Sequence, residues 1–295
     1  MFNEIFYRIA LQHLPHYSNF LIKRLLEKFE TATNIFTKSE NYIRKLQQRY
    51  PHLSIPVVSF EAQSKIKTEV DWMIKNSVSL CLYNDTCYPF RLKNCYDSPY
   101  LFYYKGNRNF NPQRSIAIIG TRNASQYGKE MVKRIITELS AYQVTIVSGL
   151  AEGIDTEAHK HALLQQQQTW AVLGSGLDRI YPASNNKLSV SIIEEDGVLI
   201  SEYPHYVTPK RSHFPCRNRI IAGLSDATIV VESPKRGGSM ITAYIASSYN
   251  RDVFAVPGNI LTDNNSGCHD LIKRNIAAIV TSGDEIADMM GWGQI

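Results

Sequence analysis

Between residues 114 and 282 the chain alternates short apolar runs with segments of helical length. The runs lie at 115–119, 144–147, 169–173, 198–200, 227–231, 253–256 and 277–280, and most are rich in Val and Ile. Segments of helical period at 127–141, 156–166 and 239–249 lie between them. Strands this apolar are covered on both faces, and helical crossovers join strands in parallel. The pattern predicts an α/β fold with a doubly wound, mostly parallel, Rossmann-like sheet. A helix over 61–76 and strands at 78–82 and 100–104 are expected upstream of it.

In an open parallel sheet, ligands bind beyond the carboxyl ends of the strands. Five of those ends carry a glycine, which permits tight turns and close backbone approach to a ligand. They read Gly120-Thr121-Arg122-Asn123, Ser148-Gly149-Leu150-Ala151-Glu152-Gly153-Ile154-Asp155, Gly174-Ser175-Gly176-Leu177-Asp178, Glu232-Ser233-Pro234-Lys235-Arg236-Gly237-Gly238-Ser239 and Pro257-Gly258-Asn259. The fourth opens a helix. A glycine pair there presents free N–H groups and the positive end of the helix dipole, which suits an anion. Ser239 and Thr242 add hydroxyls, and Lys235 and Arg236 add charge. A plain strand-to-helix turn with Ser239 as N-cap uses the same residues, and that alternative stays open.

Charge points to the same region. Residues 203–251 hold Lys210, Arg211, Arg217, Arg219, Lys235, Arg236 and Arg251 against Asp226 and Glu232, a local +5, with Tyr203, Tyr206 and Phe214 interleaved. Positive charge serves phosphates and aromatic faces serve bases, the combination that single-stranded nucleic acid requires. A buried Phe214 and a solvated charged face would account for the same composition.

The rest of the chain differs. All 16 glycines lie between Gly106 and Gly293. Residues 1–112 carry 15 Lys+Arg and 9 Asp+Glu, net +6, while 113–295 carry 17 and 18, net −1. Residues 1–58 read as short helices. Leu21, Ile22, Leu25, Leu26 and Phe29 mark one buried face, Ile43 and Leu46 belong to a further helix, and Pro51 ends it. A helix-hairpin-helix clamp places glycines in its hairpin, and this segment has none. Residues 1–60 are therefore read as a helical accessory domain whose charge is a solvated face. Residues 61–290 are read as the second domain.

Several classes lack their residues. No stretch approaches the ~18–20 apolar residues of a membrane span, and the N-terminus lacks the basic and apolar regions of a signal peptide. The five cysteines, Cys81, Cys87, Cys95, Cys216 and Cys268, form no Cys-x-x-Cys pair, so they read as small hydrophobes in a cytoplasmic protein. There is no P-loop, no full dinucleotide fingerprint at Gly174-Ser175-Gly176 and no nucleophile elbow. Asp155 and His159 stand four apart on one helix face, where a structural hydrogen bond outweighs an acid–base or metal pair.

Taken in order, these motifs resemble the DprA/Smf family of DNA-processing proteins. The resemblance rests on Gly120-Thr121-Arg122, on 148–155, on 174–178 with Tyr181-Pro182 and Asn185, and on Ser201-Glu202-Tyr203-Pro204. Phe214-Pro215-Cys216-Arg217-Asn218-Arg219-Ile220 and Val256-Pro257-Gly258 complete it, over about residues 78–282. Asp85, Tyr88-Pro89, Leu92 and Pro99 fit the family's extension of the Rossmann fold, and the helical N-terminus corresponds to its SAM-like domain.

The resemblance implies a protein that binds single-stranded DNA without cutting it, protects it, and loads the RecA recombinase during natural transformation. It implies a homodimer through the Rossmann domain, no cofactor, no metal and no enzymatic activity. Its DNA pocket carries over onto Thr121 and Arg122, Lys187, Phe214, the Arg217-Asn218-Arg219 segment and Gly238-Ser239, with Lys235, Arg236 and Gly237 beside them. Arg122 would hold a phosphate bidentately, and Phe214 would support or stack on a base. Gly237-Gly238-Ser239 stands where the family has Ser-Gly-Ser. Gly267-Cys268-His269-Asp270 and Ile276-Ala277 also depart from its pattern. Many members continue into a winged-helix domain, and the sequence is expected to be truncated before it.

Two other classes compete. Phosphoribohydrolases share this wider fold, but the stretch 237–245 lacks their catalytic carboxylate. A small-nucleotide sensor would use the same glycine loops.

Overall fold

Short helices open the chain, and most begin at a side chain that accepts a hydrogen bond from the first turn, satisfying an otherwise orphaned N–H. Asn3 caps α1 (Glu4–Ala10), Ser18 caps α2 (Asn19–Phe29) and Thr31 caps α3 (Ala32–Lys38). Then come α4 (Glu40–Gln47) and α5 (Phe60–Lys75), the latter capped by Ser59. Ile22, Leu25, Leu26 and Ile43 are buried, as their spacing predicts. Glu4 reaches across to α3, where it accepts from the Ala32 and Thr33 N–H groups, both at 2.9 Å. Arg8 joins Glu4 at 3.3 Å to Asp85 at 2.7 Å.

The computed structural model describes residues 3–293. It divides into two units, Met1–Tyr88 with Pro99–Tyr103, and Pro89–Ser98 with Tyr104–Ile295. Helix α5, expected to open the second domain, packs on α1 within the first unit, so that unit extends well past residue 60. It also holds β1 (Ser79–Leu82). The second unit includes the short α6 (Phe90–Lys93), and β2 (Leu101–Gly106) runs across the division.

The remainder of the second unit is built from β3 (Ser115–Ile119), α7 (Gln126–Leu139), β4 (Thr145–Ser148), α8 (Ile154–Leu164), β5 (Thr169–Leu173) and α9 (Asn186–Glu194). Then follow β6 (Val198–Ser201), α10 (His213–Gly223), β7 (Ala227–Val230), α11 (Gly238–Ser248), β8 (Asp252–Ala255), α12 (Ser266–Lys273), β9 (Ala278–Ile279) and α13 (Gly283–Met289). The seven strands stand in the order β6-β5-β4-β3-β7-β8-β9, and every pairing among them is parallel. The expected doubly wound sheet is present. β3, β4, β5, β6 and β7 are buried at every residue, which is why they read as unbroken apolar runs.

Met131, Val132, Ile135, Ile136 and Leu139 of α7 form one stripe against Ile116, Ile118, Ile146 and Ile229 of the sheet. Leu150, Ala171, Leu173, Ile192 and Leu199 form a second core cluster. Cys81, Cys95 and Cys268 are buried as small hydrophobes, Cys87 is half-buried and Cys216 is exposed. Among the described residues no helix is long and apolar enough to cross a membrane.

Candidate nucleic-acid interface

The strand order reverses between β3 and β7, because β4, β5 and β6 lie to one side and β8 and β9 to the other. Loops leaving the sheet in opposite directions open a crevice at such a point. There the chain forms a cleft of about 330 Å³. Its walls are Gly120, Thr121 and Arg122 after β3, and Ala151 and Asp155 after β4. Phe214, Arg217 and Asn218 come from α10, Gly237 follows β7, and Gly238, Ser239 and Thr242 come from α11.

Helix α11 begins without any side-chain cap, its N-cap being Gly237. A Cβ at Gly238 would meet no atom within 4 Å, so the space over this helix terminus is open. Ser239 does not cap the helix. Its hydroxyl donates to Ser233 Oγ at 2.7 Å and fixes the preceding loop. The Met240 N–H donates to the Gly237 carbonyl at 3.2 Å, so the Gly238 and Ser239 N–H groups and the positive dipole end are left for a ligand.

Two guanidinium groups approach one ring. Arg122 lies over Phe214 with its guanidinium carbon 5.4 Å from the ring centre, and Arg217 stands at 5.9 Å. Arg122 is exposed, whereas Arg217 is 5% exposed. Arg217 Nη1 donates to the carbonyls of Gly149 and Val172, and Nε donates to Asn218 Oδ1 at 3.2 Å. Asn218 passes the link on by donating to the Gly238 carbonyl at 3.3 Å. Burial pulls the Arg217 pKa down to about 10 against the pull of the Asp155 charge, and the group stays protonated at neutral pH. Burial raises the Asp155 pKa, opposed by Arg217 and by N–H groups of Ala151 at 3.4 Å and Gly149 at 3.2 Å.

Gly149 is required for this arrangement, since a Cβ there would lie 2.4 Å from Arg217 Nη1. His159 takes no part. It is fully buried, with Nδ1 2.7 Å from the Thr169 hydroxyl, and burial lowers its pKa to about 3. Asp155 and His159 thus turn to different partners, the one to the Gly149 and Ala151 N–H groups and the other to Thr169.

Of the expected residues, Thr121, Arg122, Phe214, Arg217, Asn218, Gly237, Gly238 and Ser239 line this one cleft. The others stand elsewhere. Arg219 pairs with Glu202, both carboxylate oxygens lying 2.6 Å from Nη2. Residues two apart on a helix point to different sides, so α10 cannot send both Arg217 and Arg219 into the cleft. Lys235 Nζ lies 3.1 Å from Asp270, and Arg236 is exposed outside the lining. Lys187 is exposed in the first turn of α9. The local +5 of residues 203–251 is thus not gathered: Arg217 alone of those seven cations lines the cleft, and Arg122 comes from outside the segment.

Thr242, expected to add a hydroxyl beside Ser239, lines the cleft. Two positions were not expected there. Asp155 was legible only as a helix-face acid. Tyr181 joins Arg122 and Phe214 in an adjoining recess, its ring 5.7 Å from that of Phe214. The Tyr181-Pro182 motif was its one signal. The departing segment at 267–270 has a structural role: the Gly267 N–H donates to the Ser233 carbonyl at 2.8 Å, and Cys268 packs against the end of β7.

Comparison with known proteins identifies the family. The sequence profile of a family described as DNA recombination-mediator protein A matches residues 79–291. The DNA processing protein DprA of Streptococcus pneumoniae is 45% identical over 202 residues, 68% of this chain and 71% of that protein. An X-ray structure of DprA from the same species superposes with a TM-score of 0.70 at 34% identity, covering 95% of this chain and 99% of that one. A structure of DNA processing protein A from Helicobacter pylori, reported for its single-stranded DNA binding mode, gives a TM-score of 0.66 at 27% identity over 73% of this chain and 97% of that one.

Proposed function

The chain belongs to the DNA recombination-mediator protein A family, and from that premise we propose that its cleft holds single-stranded DNA. The observation that carries this reading is the meeting of Arg122, the Phe214 ring and the uncapped start of α11 at one opening. Arg122 supplies a fork for phosphate oxygens, the helix start supplies N–H donors, and Phe214 with Tyr181 supplies faces for bases. None of these groups reads a base edge in the grooves of a duplex, so the site favours a single strand and tolerates many sequences.

The strand is held and not cut. Asp155 is engaged by two backbone N–H groups and faces the Arg217 charge, which leaves it poorly placed to activate water. The bound strand is protected and passed to RecA in the cytoplasm. The chain works as a homodimer, a reading supported by the end strand β9, exposed at both residues, and by Ile260 and Leu261 at 83% and 88% exposure.

The test is a titration of labelled dT oligomers of increasing length at two salt concentrations, with AMP hydrolysis assayed in parallel. Affinity is expected to rise with length, with a log–log salt slope near −0.7 per phosphate held. Equal affinity for thymidine monophosphate and a long oligomer would overturn the reading in favour of a nucleotide sensor, and AMP turnover would favour a phosphoribohydrolase.

A further inference from the structure

A second, larger cleft lies on the other side of the loop that joins β3 to α7. Its volume is about 590 Å³, and its lining includes Ser125, Tyr127, Glu232, Asn259, Asn264 and Asn265. We propose that it takes one nucleobase of the strand whose phosphate lies at Arg122. The inference deepens the reading above and rests on it.

The chemistry of the lining excludes phosphate. No Lys or Arg borders the cleft. The start of α7, where an anion would otherwise sit, is already filled from within. The Glu232 carboxylate, 1% exposed, accepts the Ser125 N–H at 2.9 Å and the Ser125 hydroxyl at 2.6 Å. A phosphate entering here would meet a buried negative charge in the position it needs.

What remains is suited to an uncharged polar ring. Three asparagine amides line it, and beyond their bonds within the loop, Asn259 Nδ2 remains as a donor and Asn264 Oδ1 as an acceptor, the two kinds of group that a base edge pairs with. Asn265 is 4% exposed. Its Nδ2 donates to Thr262 Oγ1 at 2.8 Å, while its Oδ1 is buried without a hydrogen-bond partner. An acceptor buried without a donor is costly, and a ring N–H is the donor that a base brings to this wall. Tyr127 stands at the rim, 44% exposed, with its hydroxyl donating to the Pro257 carbonyl at 2.6 Å. Its ring is thereby held in place for stacking.

The two clefts share a wall. Thr121 and Arg122 face the first cleft and Ser125 and Tyr127 face the second. The Thr121 N–H donates to the Glu232 carbonyl at 2.7 Å, and Asn264 Nδ2 donates to the Asn123 carbonyl at 3.2 Å, so the dividing loop is fastened at both ends. A strand crossing it leaves its phosphate on the basic side and one base on the amide side. This also gives a role to Pro257-Gly258-Asn259, a glycine-bearing strand end that the first cleft does not use.

The test compares a dT oligomer with one of equal length carrying abasic residues, in the full chain and in Tyr127→Leu and Asn259→Ala. Each variant is expected to weaken dT binding roughly tenfold, within the range for one stacked base, and to leave the abasic oligomer unaffected. Free thymidine is expected to compete only with that base-dependent part. Equal effects on both oligomers, or none on either, overturn the inference. Arg122→Ala is the control for the reading beneath: it should weaken both oligomers together, and if it weakens neither, the phosphate site itself is wrong. An arm without substitutions uses oligomers with 5-iodouracil at successive positions. A photo-crosslink to Tyr127 is expected, and crosslinks confined to Phe214 and Tyr181 overturn the assignment.

Discussion

The guanidinium of Arg122 rests over the ring of Phe214, 5.4 Å from its centre. At that distance a cation is attracted by the ring face, so the exposed arginine is held at the mouth of the cleft before any strand arrives. Preorganisation of this kind lowers the conformational cost of binding.

Arg122→Ala is expected to weaken single-stranded DNA binding by about 1–3 kcal/mol at fixed salt, the range for a charge-assisted contact. The salt slope should fall by about one phosphate's worth, whereas Phe214→Ala should lower affinity with the slope unchanged. Arg122→Lys should recover the slope but not the affinity, because an ammonium cannot form the bidentate fork. Fluorescence anisotropy across a salt series separates these outcomes. A well-folded Arg122→Ala protein with undiminished affinity would show that the phosphate sits elsewhere.

Arg217 calls for a different expectation although it lines the same cleft. It is a buried cation satisfied by the Gly149 and Val172 carbonyls and facing Asp155. Removing one partner of a buried charge arrangement costs about 3–5 kcal/mol, because the remaining groups stay buried without compensation. Arg217→Met should therefore lower the melting temperature sharply, and Gly149→Ala should do the same by pressing on the guanidinium. Differential scanning calorimetry of both, beside Arg122→Ala as the exposed control, checks this. A melting temperature unchanged in Arg217→Met would mean that its charge is not structural.

These contrasts mark what the sequence could and could not disclose. β3 and β5 were legible to the residue because both faces are buried, and even the polar residue that opens each run, Ser115 or Thr169, is buried with the rest. The cleft motifs were legible because glycine loops after parallel strands gather at the switch point. The direction of each cation was not. Arg217 and Arg219 are the same residue type two positions apart, and their separation depends on Glu202 waiting on one side of α10. Lys235 is drawn to Asp270, thirty-five residues later in the chain. The 203–251 window that gave the local +5 contains neither partner.

The helical unit should be acid-sensitive through Glu4. Burial raises its pKa, but hydrogen bonds from Thr33 and Ala32 and the charge of Arg8 outweigh this and hold it below the usual 4.5. A carboxylate with a depressed folded pKa stabilises fully above its unfolded value and loses that contribution as pH falls through the folded one. The loss is therefore expected below about pH 4.5, with none between pH 6 and 8. Glu4→Gln should be less stable at pH 7 and should show a shallower decline on acidification. Circular dichroism melts at pH 7, 5, 4 and 3 read both effects, and parallel curves for the two proteins would exclude Glu4 as the source.

Gly238→Ala separates binding from folding most cleanly. A Cβ at this position meets nothing within 4 Å, and alanine is the better helix former, so the folded state should be as stable or slightly more so. The same Cβ adds bulk at the first residue of α11, beside the N–H groups that a phosphate is proposed to approach. Close approach of a ligand to backbone is the circumstance in which glycine is required. The substitution should thus leave the melting temperature unchanged or raised while weakening oligomer binding, and the loss should persist at low salt because it is steric and not electrostatic. Unchanged affinity would mean that the strand does not touch the start of α11, and the anion site would then reduce to Arg122.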